Sequence, residues 1–466
     1  MHDELKFDNC AHSSDPLVGC ALEGVASVFA GIRGATVVIH SPQGCAATVA
    51  AAFDQHEVDF TKRKIACTRL FESDIVMGAT RKLEDLIRQS DAKFGNPVLF
   101  VVGTCAADII GEDLDGICRN LQPEIKGKLI PVTAGGFRGD AYAGIEMGLE
   151  ALLPFVKKSE TKIPNSVNLI APHASVNPTW WADLDWIQGL LEGFGIKVVS
   201  RIVRDTTLAE LDKAGEASAN ILLSHDAGYG FAKKFERLHG VPLILSDIPL
   251  PVGLGNTSRW LKALASHFNA EGLADFMITN GEEKVADILR RRALMMIPRY
   301  RNCRVAVSGD ATFAISSLRM LFQELEMIPE AVLVRSKSKE ARALLAKECA
   351  DLGISPKIVF GADGYKIQQV LKDIPVDAVL GSAWETYMAK EEGIRIAFDA
   401  FTPTNRDVYV DRAYFGYDGM VNLLEIIGND WERALRSRDI QWDLYEERRT
   451  VLPTKETERV GTAKIA

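Results

Sequence analysis

The sequence predicts an α/β protein built from three Rossmann-like domains with mostly parallel, doubly wound sheets. Three observations carry this expectation. Short apolar, β-branched runs alternate with helix-like runs nearly throughout the chain. Most of these runs end in Gly, Ser, Thr or Asp and pass straight into a helical pattern, the signature of βαβ units. The runs are almost continuously apolar rather than alternating, so both faces of each sheet are covered. At about 100–200 residues per domain, 466 residues require about three domains.

In chain order, strands are expected at Ala35–His40, Val98–Gly103, Leu129–Thr133, Val167–Ala171, Val198–Ile202, Ile221–Ser224, Leu243–Leu245, Val305–Gly309, Val332–Val334, Ile358–Phe360, Ala378–Gly381 and Ile394–Ala397. Each is rich in Val, Ile or Leu and closes at a turn-forming residue. Two joints interrupt the series. Lys157-Lys158-Ser159-Glu160-Thr161-Lys162-Ile163-Pro164 is charged and ends in proline, and Ile297-Pro298-Arg299-Tyr300-Arg301-Asn302 precedes a fresh strand. They divide the chain into 1–160, 161–300 and 301–466, with the C-terminal helices expected to pack back across the first unit. The tail after Pro453 is polar and is expected to be loose.

The balance of 54 basic and 63 acidic residues gives a net charge of −9, mixed along the chain. No basic face is evident, which argues against a nucleic-acid partner. No apolar run reaches the roughly 18–20 residues of a membrane span. The N-terminal Met1-His2-Asp3-Glu4-Leu5-Lys6 has no apolar core of a signal peptide. A cytoplasmic protein without membrane association is expected.

Eight cysteines in a chain this long do not make a disulfide framework. Six of them (10, 20, 45, 67, 105 and 118) fall before residue 120, which favours a metal or redox site there. Cys20 lies in Pro16-Leu17-Val18-Gly19-Cys20-Ala21, Cys45 in His40-Ser41-Pro42-Gln43-Gly44-Cys45-Ala46, and Cys105 in Val102-Gly103-Thr104-Cys105-Ala106-Ala107-Asp108. The last two follow an apolar strand and open a helix-like stretch, where parallel sheets present ligands. The spacings are too wide for a zinc knuckle. Glycine allows the backbone to approach a bulky group, and helix N-termini favour the anionic thiolate. Three thiolates on one rim suit a soft centre such as an iron–sulfur cluster. Spacing alone fits equally well a set of buried cysteines packing as small apolar residues.

These segments resemble nitrogenase component 1 subunits, a family that includes molybdenum–iron protein chains, cofactor-assembly scaffolds and nitrogenase-like reductases. The resemblance runs through Gly19-Cys20-Ala21-Leu22-Glu23-Gly24, His40-Ser41-Pro42-Gln43-Gly44-Cys45, Thr68-Arg69-Leu70-Phe71-Glu72-Ser73-Asp74-Ile75-Val76-Met77-Gly78-Ala79 and Gly103-Thr104-Cys105-Ala106-Ala107-Asp108-Ile109-Ile110-Gly111-Glu112-Asp113-Leu114. It implies that Cys20, Cys45 and Cys105 ligate an iron–sulfur cluster, either an [8Fe–7S] P-cluster or a [4Fe–4S] cluster, shared with a partner subunit. The residues just before each cysteine, Gly19, Gly44 and Thr104, are then expected to contact the cofactor. It further implies an α-type catalytic partner in an α2β2 assembly and an ATP-dependent Fe-protein reductase. The Thr68–Ala79 segment resembles the one leading to the reductase-docking face.

Two departures refine this. Where β-type chains carry a serine near the cluster, this chain has Thr133-Ala134-Gly135-Gly136-Phe137-Arg138, so a serine-dependent redox change is in doubt. Where α-type chains supply a cysteine and a late histidine for the substrate-reducing cofactor, this chain has Leu223-Ser224-His225-Asp226-Ala227-Gly228-Tyr229 and, in Arg412-Ala413-Tyr414-Phe415-Gly416-Tyr417-Asp418-Gly419, Phe415. The expectation is a β-type chain with half of a relay cluster and no catalytic residue of its own. His225 reads as a hydrogen-bonded structural residue. Only 19 residues precede Cys20, which leans toward the alternative nitrogenases or the nitrogenase-like branch, with methylthio-alkane reductase as the first expectation. A dinitrogen-reducing β subunit and an assembly scaffold are the alternatives.

The other features read as structure. Cys118 lies at core spacing with Leu114, Ile117 and Leu121, and Cys303 and Cys349 sit at element edges. Cys10 is a spare thiol near the cluster segment, and Cys67 belongs to the docking segment. Ser308-Gly309-Asp310-Ala311 and Gly361-Ala362-Asp363-Gly364 are ordinary βα turns, neither a complete nucleotide motif. Trp180-Trp181 anchors a contact, and Lys62, Arg63, Lys64 and Arg69 form a solvated face.

Overall fold

The computed structural model describes residues 7–9, 19–55, 64–171 and 178–439. Cys10, Lys62, Arg63 and the tail after Pro453 lie outside them. Among the described residues, fourteen strands form three sheets in which every pairing is parallel. The first sheet has the order β3-β2-β4-β5, from β2 (Ala35–His40), β3 (Lys64–Cys67), β4 (Val98–Gly103) and β5 (Lys128–Thr133). The second has the order β7-β6-β8-β9, from β6 (Ser166–Ile170), β7 (Lys197–Ile202), β8 (Ala219–Leu222) and β9 (Leu243–Ile244). The third has the order β1-β12-β11-β10-β13-β14, from β1 (Phe7–Asn9), β10 (Arg304–Gly309), β11 (Ile328–Val334), β12 (Lys357–Phe360), β13 (Ala378–Gly381) and β14 (Ile396–Asp399).

All twelve expected strands form. Two more appear: β1 and β3 sit at sheet edges, three and four residues long, too short to give a periodic signal. β1 pairs with β12, covering what would otherwise be an open edge of the third sheet. Every residue of β2 and of β4 is buried, because helices cover both faces. The last described helix, Gly416–Asp439, packs on β14 and on the helices Gly253–Phe268 and Glu271–Tyr300. It therefore packs on elements of the second and third units, its apolar side (Met420, Leu423, Ile427) buried in the core that contains Phe398 and Trp260.

Seven helices belong to the first unit: α1 (Ala21–Ala30), α2 (Gln43–Gln55), α3 (Glu72–Met77), α4 (Thr80–Phe94), α5 (Cys105–Ile110), α6 (Leu114–Leu121) and α7 (Ala141–Glu150). Among the described residues, no helix is long and apolar enough to cross a membrane.

Candidate metal centre at the rim of the first sheet

In the first sheet the connections run outward in opposite directions from β2 and β4, which opens a crevice beyond their carboxyl ends. Cys45 and Cys105 stand on its two sides. Cys45 lies in the first turn of α2, just after β2, and Cys105 opens α5, just after β4. Both positions follow from local sequence, because each apolar strand is followed within a few residues by its helix.

Cys20 arrives by packing. It is the residue before α1, with an extended backbone at φ −84° and ψ 174°. α1 lies against α7, and this contact needs glycine. A Cβ on Gly24 would lie 1.9 Å from the Ala141 carbonyl oxygen, and one on Gly144 would lie 2.1 Å from that of Ala21. The two helix starts are stitched together: Ala141 N–H donates to the Gly19 carbonyl at 2.7 Å and Ala21 N–H to the Gly139 carbonyl at 3.0 Å. Cys20 bridges to Asp140, one turn beyond the Gly136–Arg138 segment that follows β5.

Gly136 marks where the sulfurs meet. A Cβ placed on it would lie 3.4 Å from Cys105 Sγ and 3.5 Å from Cys20 Cβ, so both side chains border the same small space. Gly136 N–H donates to Cys105 Sγ at 2.9 Å. Cys45 belongs to the same neighbourhood. Its thiol is pushed up by partial burial and then by the nearby Cys20, Cys105 and Cys67. Cys20, Cys45 and Cys105 are all partly exposed and unbridged. Collecting thiolates in this way is unfavourable in an empty protein and is offset by bound cations.

Among the described residues, no three His, Cys, Asp or Glu side chains gather closely enough to hold a single metal ion. An iron–sulfur cluster is wider, and each cysteine binds a different iron. The soft donor set, the partial exposure and the shared space beside Gly136 fit such a group. Filling that space tests the fit: Gly136→Val should lower bound iron while leaving the far-ultraviolet circular dichroism of the chain unchanged.

The three residues expected beside the cofactor differ in their surroundings. A Cβ on Gly44 would meet nothing within 4 Å. One on Gly19 would overlap the Glu23 carboxylate. Thr104 is buried, and its hydroxyl donates to the His40 carbonyl at 2.9 Å, tying β4 to β2. Sequence reasoning passed over Gly135-Gly136, weighing that stretch only for a serine; the paired glycines after a strand were the signal. It also assigned no role to His40 and Glu112. His40 is buried, its Nε2 is 3.7 Å from Glu112 and its Nδ1 is 3.2 Å from Thr68 Oγ1. Burial holds His40 below the usual histidine range, outweighing the Glu112 charge that favours its protonation. Glu112 also accepts from Ala79 N–H at 2.8 Å, joining the α3–α4 segment to the rim. Cys67, read from sequence as part of the docking segment, ends β3 with its Sγ 3.5 Å from Ser41 Oγ, in the turn that launches α2.

The remaining cysteines contrast with these. Cys118, Cys303 and Cys349 are buried, and burial pushes each thiol up to about 12. Such thiols are inert. Phe415 is buried and stacks with Phe313, ring centroids 6.2 Å apart and 15° from parallel. The Gly361–Asp363 turn leads from β12 into the helix Gly364–Asp373. Trp180 and Trp181 stack on each other, with the Arg204 guanidinium 4.5 Å from the Trp181 ring.

A cavity of about 1150 Å³ runs from Cys20, Gly19 and Gly136 to the carboxyl ends of β8, β11 and β12, lined there by Ser224, His225, Arg335 and Lys337. Burial pushes His225 down to about 4. An unfolded histidine takes its proton near 6.5. Between those values the unfolded chain binds the extra proton, so stability is full above about 6.5 and falls toward 4 by about 1.4 kcal/mol per pH unit. Urea midpoints should therefore drop more steeply in wild type than in His225→Phe as pH is lowered through this window.

Comparison with known proteins identifies the family and the fold. The family model described as nitrogenase component 1 type oxidoreductase matches residues 20–432. A nitrogenase iron-molybdenum cofactor biosynthesis protein NifE of Nostoc sp. (strain PCC 7120 / SAG 25.82 / UTEX 2576) is 25% identical, over 91% of this chain and 85% of its own. A nitrogenase molybdenum-iron protein beta chain of Methanococcus maripaludis is 24% identical, over 89% of this chain and 93% of its own. A nitrogenase vanadium-iron protein beta chain of Trichormus variabilis (strain ATCC 29413 / PCC 7937) is 25% identical, over 89% and 93%. The solved structure titled "Nitrogenase Cp1 at pH 6.5" superposes with a TM-score of 0.77 at 19% identity, covering 95% of this chain and 98% of that one, and so shares its fold. With its three parallel sheets and a family match that begins at Cys20 itself, the chain belongs to the nitrogenase component 1 type oxidoreductase family.

Proposed function

We propose that this chain is the β-type subunit of a nitrogenase-like two-component oxidoreductase, in which Cys20, Cys45 and Cys105 hold this chain's half of an iron–sulfur cluster shared with an α-type partner. The observation that carries the reading is the meeting of Cys105 Sγ and the Cys20 side chain beside Gly136, with Cys45 in the same charge neighbourhood. When bound, a P-cluster or [4Fe–4S] cluster supplies one-electron relay chemistry. The protein's part is placement. Cys45 and Cys105 stand at the starts of α2 and α5, the Gly136 N–H donates to Cys105, and the α1–α7 packing sets Cys20 against the rim.

The surroundings support a shared site. Val76 and Met77 on α3, Ile109 on α5 and Phe137 beside Gly136 are 80%, 84%, 68% and 75% exposed. Large apolar side chains left in water on elements that carry or flank the cysteines fit burial by another polypeptide. We assign this rim to the α-type partner and to an ATP-dependent Fe-protein reductase, in an α2β2 assembly. The packed Phe415, where α-type chains carry histidine, supports the β-type reading. The substrate-reducing cofactor then belongs to the partner, and our first choice of reaction is reductive C–S cleavage of small methylthio-alkanes, ahead of dinitrogen reduction.

The similarity to NifE chains favours a second reading, an assembly scaffold that holds a cluster without turning over substrate. Iron and sulfide counts on anaerobically purified protein test the cluster. Turnover of methylthio-alkanes and of dinitrogen, with reductase, ATP and the co-purifying α partner, separates enzyme from scaffold: an iron-loaded complex that reduces neither supports the scaffold, and an iron-free chain overturns both.

A further inference from the structure

At the end remote from Cys20, the cavity offers one cationic side chain, Lys337, and several donor atoms that nothing among the described residues engages. Lys337, in the turn between β11 and the helix Lys339–Leu352, has no partner among the described residues, and its stem lies over Gly361, where a Cβ would come within 2.8 Å of Lys337 Cε. Arg335 is only 5% exposed. Its Nη2 is bonded to Glu385 and Ser382, but its buried Nε has no partner, and neither has His225 Nε2. The helix Lys339–Leu352 begins here. Ser338 caps only the Ala341 N–H, so the N–H groups of Lys339 and Glu340 have no partner within the helix.

Most acidic residues of the wall are, by contrast, already engaged; of the others, Glu340 accepts from Ser338 Oγ at 3.5 Å and Glu23 lies at the Cys20 end. Glu146 accepts from the N–H groups of Gly228, Gly230 and Phe231, and Asp226 accepts from those of Ala311 and Thr312. Asp363 caps the helix Gly364–Asp373 through Lys366 N–H. Unengaged donors beside engaged carboxylates select a negative ligand over a cation. No cysteine lines this end, so the donor set suits an organic or inorganic anion rather than a metal cluster.

From this arrangement we infer that the Arg335–Ser338 turn, with His225 and the start of the helix Lys339–Leu352, binds the oxyanion head of a small, multiply charged molecule, a phosphate or a carboxylate. The site is separate from the cysteine rim, and its test does not depend on iron. Calorimetric titration of the full chain with inorganic pyrophosphate and, separately, with citrate is expected to give saturable binding of at least one. Binding of one alone identifies the head group. Lys337→Glu should weaken that binding by about tenfold or more. Lys339→Glu, an equal charge change outside the cavity lining, should weaken it far less. Lys337 is exposed, so its variants are expected to fold, and Lys337→Met provides a charge-neutral check. Absence of heat with both anions overturns the site, and so does an equal loss in Lys337→Glu and Lys339→Glu, which marks general surface attraction.

Discussion

Replacing Cys105 by alanine is expected to strip the chain of most of its bound iron. The same is expected of Cys20→Ala and Cys45→Ala, whereas Cys118→Ala should retain wild-type iron. The contrast follows from position. The first three thiols are partly exposed on one rim, and Cys118 is buried against Leu114 and Leu121 with its thiol pushed up to about 12. Losing a group that only orients a metal ligand costs roughly 10- to 100-fold in affinity, and losing a ligand itself costs more. Iron should therefore fall by at least about 100-fold in affinity terms, read as iron per chain and as loss of visible absorption. Substrate reduction should fall with it, because the proposed cluster is the relay through which the electrons pass. Cys105 also carries the Gly136 N–H bond, so Cys105→Ser probes whether an oxygen at that position keeps any iron. Unchanged iron in all three rim variants would end the proposal.

Glu385→Ala is expected to destabilise the chain by about 3–5 kcal/mol, the largest stability effect we anticipate from one substitution. Glu385 and Arg335 form an ion pair at 2.6 Å, with side chains 1% and 4% exposed. Ser308 Oγ donates to the same carboxylate at 2.9 Å, and Ser382 N–H at 2.8 Å. Burial alone would raise the Glu385 carboxyl, but Arg335 and the Ser382 bonds hold it below the usual range. Its folded value lies below the unfolded one, so the stability it contributes is present above the unfolded value of about 4.5 and is lost as pH falls through the folded value. Removing the carboxylate leaves a guanidinium buried without its charge partner. Tyr142 donates to Asp310 beside this pair, so the first unit is bonded directly to the third at that point. The double variant Arg335→Met/Glu385→Leu should recover most of the loss in urea denaturation, because it removes both charges together.

How much of this was legible in the chain follows from the range of each interaction. The strands β2 and β4 announce themselves as unbroken apolar runs, and each is followed within a few residues by its helix. Cys45 and Cys105 could therefore be placed at the rim without coordinates. The edge strands β1 and β3 could not. Lys64-Ile65-Ala66-Cys67 is four residues long and begins with an exposed lysine, so it reads as a strand only once β2 lies beside it.

The sequence by itself determined the parallel three-unit fold, the inert burial of Cys118 and the strand-to-helix positions of Cys45 and Cys105, because these depend on periodicity and on strand–turn–helix connections spanning few residues. The sequence placed Cys20 with them by resemblance, but only the tertiary structure shows the α1–α7 packing that brings it beside Cys105 at Gly136, the His40 and Glu112 contacts that tie the rim to α3 and α4, and the cationic groups that line a cavity between the units. Those features arise where α1 presses on α7 through Gly24 and Gly144, and where the three sheets turn their carboxyl ends toward one another. Contacts between segments so far apart in the chain are set by shape and by which polar groups remain unpaired after packing, and neither quantity is written in any local pattern of residues.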